Sequence, residues 1–127
     1  GTFLRAPRQF QVEAFGPATL VVTAAGVEEL TAVARAVEPS LTASVYLAAE
    51  GDDEAIYRRL APVLVRRCGR FLVNKMPTGV AVSPAMNHGG PYPATTHPGF
   101  TAVGMPRSLL RFAALKCFDS IDERLRP

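Results

Sequence analysis

Three short apolar runs alternate with two stretches of helical spacing, and this alternation restricts the chain to an α/β arrangement. Thr19-Leu20-Val21-Val22-Thr23 is rich in β-branched residues and follows Gly16-Pro17, so it predicts a buried strand. Residues 27–37 set Val27, Leu30, Ala34 and Val37 on one face of a helix that Pro39 ends. Residues 42–47 predict a second strand and Phe71-Leu72-Val73 a third. Between these two, Ile56, Leu60, Val63 and Leu64 form the apolar stripe of another helix. The acidic cluster Asp52-Asp53-Glu54 is expected to cap and charge-match its N-terminus. Pro62 lacks an amide donor and crowds the preceding turn, which predicts a kink or a break into two helical pieces. Gly69, just after Arg66-Arg67, is expected to stop the helix. Strand, helix, strand, helix, strand reads as two βαβ units with neighbouring parallel strands.

The flanks are less regular. Residues 1–14 read as irregular with about one helical turn, since Pro7 and Arg8-Gln9 discourage more. From 75 to 106 the chain is crowded with Pro and Gly and nearly free of charge. So long a structureless stretch in a compact protein is either functional or disordered, and its small apolar side chains argue against disorder. Residues 107–115 return to a helical pattern through Leu110, Phe112 and Ala113, and a short strand or tail follows. No repeat of fixed period is visible. The 127 residues suffice for one domain with a core.

Composition narrows the function classes. A net charge of +3 is too small to argue for nucleic acid or a membrane. No apolar run is long enough to span a bilayer, and the N-terminus has no basic segment leading into an apolar core. Two cysteines, Cys68 and Cys117, make no disulfide framework, so a reduced, cytoplasmic setting is the expectation. His88 and His97 with these cysteines make no zinc spacing, so no metal is expected. Phosphate-loop, dinucleotide-fingerprint and nucleophile-elbow patterns are all missing. Arg58, Arg59, Arg66, Arg67 and Arg70 cluster without interleaved aromatics, apart from Tyr57 and Phe71 at the margins. That pattern fits a solvated helix face, or a phosphate or subunit contact, better than a nucleic-acid groove. Arg66-Arg67 could lower the pKa of Cys68, but a small residue near a helix end is usually packing. Cys68 is therefore not assigned as a nucleophile.

The remaining signal is a set of motifs in order. Glu13-Ala14-Phe15-Gly16-Pro17 precedes the first predicted strand. Val73-Asn74 and Pro77-Thr78-Gly79-Val80 follow the third. His88-Gly89-Gly90-Pro91-Tyr92-Pro93-Ala94-Thr95 comes last. Together they resemble the C-terminal part of the catalytic domain of an aldehyde dehydrogenase, in the branch that oxidises α-ketoglutaric semialdehyde. The resemblance runs from Pro7 to the terminus.

It implies that residues 1–127 are one α/β domain fragment with a mainly parallel sheet flanked by helices. The parent would oxidise an aldehyde to the acid with NAD or NADP, using a nucleophilic cysteine and a nucleotide-binding fold upstream of Gly1. No catalytic residue is then expected here, and the fragment alone would be inactive. The resemblance assigns Glu13 to the nicotinamide ribose, where a carboxylate offers two acceptor oxygens to vicinal hydroxyls. It assigns Phe15 to packing near the nicotinamide ring. Read in isolation, Glu13 is a solvated loop carboxylate and Phe15 a core residue at a strand start.

Asn87-His88 stands where the family has Pro-Phe, so His88 occupies the place of an aromatic in the substrate channel. It either hydrogen-bonds a polar or acidic aldehyde or is a structural histidine bonded to loop backbone. Residues 76–86 resemble the loop at the substrate mouth, and Phe100 has no counterpart that assigns it a role. The implied partners are a small aldehyde and further copies of the parent, with no nucleic acid and no membrane. The rival reading is a free-standing, non-enzymatic α/β module that binds a metabolite or a partner.

Overall fold

A computed structural model describes residues 1–79, 86 and 89–97 of the chain. Its centre is one βαβ unit: β1 (Ser40–Val45), α4 (Glu54–Val65) and β2 (Cys68–Val73). The two strands pair in parallel, from Ser40 opposite Cys68 to Val45 opposite Val73. A parallel pair needs a long crossover, and α4 supplies it. Backbone bonds extend the pairing past both ends. Ser40 N–H donates to Arg67 O at 2.8 Å, and Asn74 N–H donates to Val45 O at 2.8 Å. Asn74 sits at φ 51°, the left-handed region that asparagine tolerates better than most residues. Its Oδ1 accepts Leu47 N–H at 2.7 Å, so one residue closes the carboxyl ends of both strands.

Three helices precede this unit: α1 (Thr2–Arg5), α2 (Pro7–Phe10) and α3 (Val27–Ala36). Pro7 opens α2 at the helix start, where its missing N–H would have no partner anyway. The expected single turn is thus two short helices. Helix α3 packs on α4, and Arg59 of α4 reaches Glu28 of α3 at 2.8 Å. That hydrogen bond holds the exposed Glu28 carboxyl below the usual carboxylate range.

Helices and a parallel two-stranded sheet are compatible with the α/β expectation, but several local expectations are corrected. Residues 19–23 are not a strand, and Leu20 and Val21 are exposed. A strand needs a neighbouring backbone to take its hydrogen bonds, and no described residue pairs with this run. Only one of the two predicted βαβ units is therefore present among the described residues. Helix α4 is one continuous helix through Pro62 rather than two pieces. It stops at Val65, and Gly69 lies inside β2 instead of ending the helix. Asp53 occupies the cap position, yet its carboxylate makes no cap bond and instead accepts Ala48 N–H at 2.8 Å. The predicted helix at 107–115, Cys117, Phe100 and His88 lie outside the described residues.

The core is thin. Phe3, Ala34, Leu60 and Cys68 are its buried apolar residues among those described. Phe3 leans on Phe10 with ring centroids 6.2 Å apart, and Tyr57 on Phe71 at 6.3 Å. At the amino ends of the strands the backbone itself makes the contact. A Cβ on Gly69 would collide with the carbonyl of Gly89, and one on Gly90 with the carbonyl of Ser40. The Gly-Gly pair is thereby pressed onto the starts of both strands, and it is buried. Gly69→Ala should destabilise the protein by about 1–3 kcal/mol, the usual cost of overpacking. A urea unfolding curve of the full-length protein checks it, and an unchanged midpoint would show that this approach is not tight.

Candidate functional site

A cleft of about 740 Å³ lies between the N-terminal helices and the start of β1. Phe3, Phe10, Val33 and Val37 line its apolar side, with Leu20 and Val22 from the irregular run. Glu13, Glu38 and Ser40 line its polar side, and Ala94 closes it. Glu13 belongs to the first sequence motif and Ala94 to the last. The fold thus brings the two ends of the motif set, 81 positions apart by numbering (94 − 13), to one cavity.

Gln11 builds the cleft's edge and carries no signal in the sequence. Its side-chain amide donates to Pro7 O at 3.1 Å and to Ala36 O at 3.2 Å. Its Oε1 accepts Glu38 N–H at 2.7 Å. It therefore satisfies orphan groups at the end of α3 and fixes α2 to that end. A polar residue after a four-residue helix looks like any loop residue, which is why sequence reasoning passed over it.

Glu13 lies two residues beyond this anchor. Its carboxylate is exposed and makes no ion pair or hydrogen bond among the described residues. Both oxygens are thus available as acceptors. Glu38 stands on the same cleft. Two carboxylates favour a hydroxyl donor or a cation there and disfavour an anion. Phe15 is 94% exposed, so it is not the core residue of the isolated reading, and it is not part of the cleft lining. An aromatic so placed offers a bare apolar face at the surface. His88 is outside the described residues, while its neighbours Gly89 and Gly90 are packed at the strand starts as above.

With this geometry in view, the comparisons with known proteins decide the relationship. The chain is 45% identical over 125 residues to α-ketoglutaric semialdehyde dehydrogenase 2 of Azospirillum brasilense, covering 98% of this chain and 23% of that protein. It is 35% identical over 119 residues to α-ketoglutaric semialdehyde dehydrogenase of Acinetobacter baylyi, covering 94% of this chain and 22% of that one. Its homologues are α-ketoglutaric semialdehyde dehydrogenases, members of the aldehyde dehydrogenase family. The chain spans under a quarter of the length of these dehydrogenases. No protein-family model matches it.

Among the described residues no group of three or more His, Cys, Asp or Glu could hold a metal ion. No described helix is long and apolar enough to cross a membrane. The arginine cluster is largely engaged inside the chain. Arg58 pairs with Glu54 at 2.5 Å, Arg59 with Glu28, and Arg67 donates to Arg35 O at 2.5 Å. Arg70 binds the carbonyls of Pro77 and Gly79. Arg58 and Arg59 remain largely exposed beside these bonds, as a solvated helix face would be.

Cys68 is buried at the start of β2. Burial pushes its thiol pKa up, against smaller opposing bonds from the backbone at Ala43 and Arg70. A raised pKa leaves less thiolate, the reactive form. The sign of the linkage follows. Below the ordinary thiol pKa both folded and unfolded states keep the proton, and Cys68 has no pH-dependent effect. Above it the unfolded chain ionises first, so this residue's contribution falls as pH rises until the folded thiol also ionises. In the full-length protein carrying Cys117→Ser, labelled peptides should show Cys68 reacting with a disulfide reagent at pH 8 at least about tenfold slower than after unfolding. Equal rates in the two states would make Cys68 accessible and reopen it as a nucleophile.

Proposed function

We propose that this chain is the C-terminal part of the catalytic domain of an NAD(P)-dependent aldehyde dehydrogenase. Its substrate is a semialdehyde, α-ketoglutaric semialdehyde above all, which is oxidised to the acid. The observation that carries the reading is the unengaged carboxylate of Glu13 on a cleft shared with Ala94, in a chain similar to the dehydrogenases over nearly its whole length.

The residues present fit a nicotinamide dinucleotide. Glu13 would hold the nicotinamide ribose by accepting from its hydroxyls, and the cleft's two carboxylates suit such donors. Exposed Phe15 would lie against the nicotinamide ring. The dinucleotide, when bound, supplies the hydride acceptor for aldehyde oxidation. A semialdehyde that carries a carboxylate of its own would be repelled by Glu13 and Glu38, so the substrate binds outside this cleft. His88 is its proposed partner, as a hydrogen-bond donor in place of the family's aromatic. The nucleophilic cysteine and the nucleotide fold belong to an upstream part of the protein. In this reading the exposed run of Val12, Phe15, Leu20 and Val21 is surface that the rest of the protein covers. The protein acts in the cytoplasm as an oligomer of like subunits. The free-standing module has less support, because identity to the dehydrogenases extends over 98% of the chain rather than over one motif.

Glu13→Ala in the full-length protein should cost roughly 1.5–3 kcal/mol, the worth of a hydrogen bond to a charged group. That corresponds to about one to two decades in hydride-transfer rate or cofactor affinity. Stopped-flow absorbance of the reduced nicotinamide in a single turnover reads the first and fluorescence titration the second. The chain without its upstream part should turn over no aldehyde. A Glu13→Ala protein with unchanged cofactor binding and unchanged hydride transfer would remove the ribose clamp from the account.

A further inference from the structure

Arg70 is the one member of the arginine cluster that reaches forward into the Pro/Gly-rich segment. It stands on β2, opposite Thr42. Its two terminal nitrogens split between two backbone acceptors of one turn: Nη2 donates to Pro77 O at 2.9 Å and Nη1 to Gly79 O at 3.2 Å. Gly79 is at φ +72°, a conformation that side chains rarely adopt, so the turn is a specific one. Between strand and turn, Lys75, Met76, Pro77 and Thr78 are all exposed. The described contact that pins the turn is therefore the guanidinium fork.

The arginine pays nothing back elsewhere. Its Nε is buried without a hydrogen-bond partner, and its side chain joins none of the chain's salt bridges among the described residues. A buried donor left unmade opposes folding, so stability alone does not account for this side chain. A rigid planar fork that reaches two carbonyls at fixed spacing is a geometry arginine offers and lysine lacks. Its neighbour Gly69 is pressed against Gly89. Two consecutive residues of β2 thus hold positions 77 to 79 on one side and 89 on the other.

We propose that Arg70 is a positioning residue for substrate binding: it fixes the turn at Pro77 and Gly79, and through that turn sets KM for the aldehyde. The substrate part rests on the dehydrogenase reading above, and the clamp part does not. Arg70 touches neither substrate nor cofactor in this account.

The test separates the two parts. Full-length wild type, Arg70→Gln and Arg70→Lys are digested with trypsin under native conditions, and cleavage after exposed Lys75 is timed by mass spectrometry. Thermal midpoints are recorded alongside. Release of the turn should speed that cleavage about tenfold in Arg70→Gln, since local opening governs such cuts. Arg70→Lys should fall between, because an ammonium keeps the charge and donors but not the fixed planar fork, and it keeps the test open should Arg70→Gln not fold. KM for α-ketoglutaric semialdehyde should rise several-fold with kcat nearly unchanged, the mark of lost ground-state binding. Cleavage at the wild-type rate in both variants overturns the clamp. Faster cleavage with unaltered KM overturns the substrate role. Wild type without dehydrogenase turnover would sink the dehydrogenase reading and the substrate role with it, while the proteolysis still decides the clamp.

Discussion

The parallel pairing of β1 with β2 is the constraint on which the described structure depends. Two parallel strands cannot be joined by a tight turn, so the chain must leave Val45, cross over as α4 and return at Cys68. That crossover fixes where everything else can attach. Asn74 closes the carboxyl ends through Val45 O and Leu47 N–H. The glycines close the amino ends, where no side chain fits between Gly69 and Gly89 or between Gly90 and Ser40. Helix α3 then packs on α4, and Gln11 ties the first helices to the end of α3. The candidate cleft is the space left between these helices and the start of β1.

This arrangement gives the motifs separate jobs that their sequence order conceals. The Gly-Gly pair serves the sheet first, because backbone is pressed on backbone there. Glu13 is left unengaged by the described residues, on the cleft. Several other carboxylates are engaged within the chain: Glu28 and Glu29 are held below the usual carboxylate range, Glu28 chiefly by Arg59 and Glu29 chiefly by the Ala25 N–H, and Asp53 is bonded to Ala48. An unengaged carboxylate on a cleft has both oxygens available to accept from hydroxyl donors.

The sequence made α3, β1 and β2 legible because each carries its own periodicity within a few residues. It placed Cys68 near a helix end, whereas the residue opens β2. It did not reveal that residues 19–23 lack a partner. β-branched composition reports a preference for extended backbone, whereas a strand also needs a neighbour, and none of the described residues provides one. Pro62 misled in the other direction: losing one amide donor costs less than breaking a helix already held by α3 and β2. Gln11, and Arg70 as a clamp, were illegible because their partners are backbone carbonyls and amides, which every residue carries and no motif records. The family relationship was legible from the motif set, and the relatives in Azospirillum brasilense and Acinetobacter baylyi are similar over almost all of the chain.

The central claim is that Glu13 holds the nicotinamide ribose. A crystal structure of the full-length protein with NAD or NADP bound tests it directly. The account predicts a Glu13 carboxylate oxygen about 2.5–3.0 Å from a ribose hydroxyl, the range of such hydrogen bonds. A nicotinamide ribose bound elsewhere, with Glu13 still solvated, would contradict it.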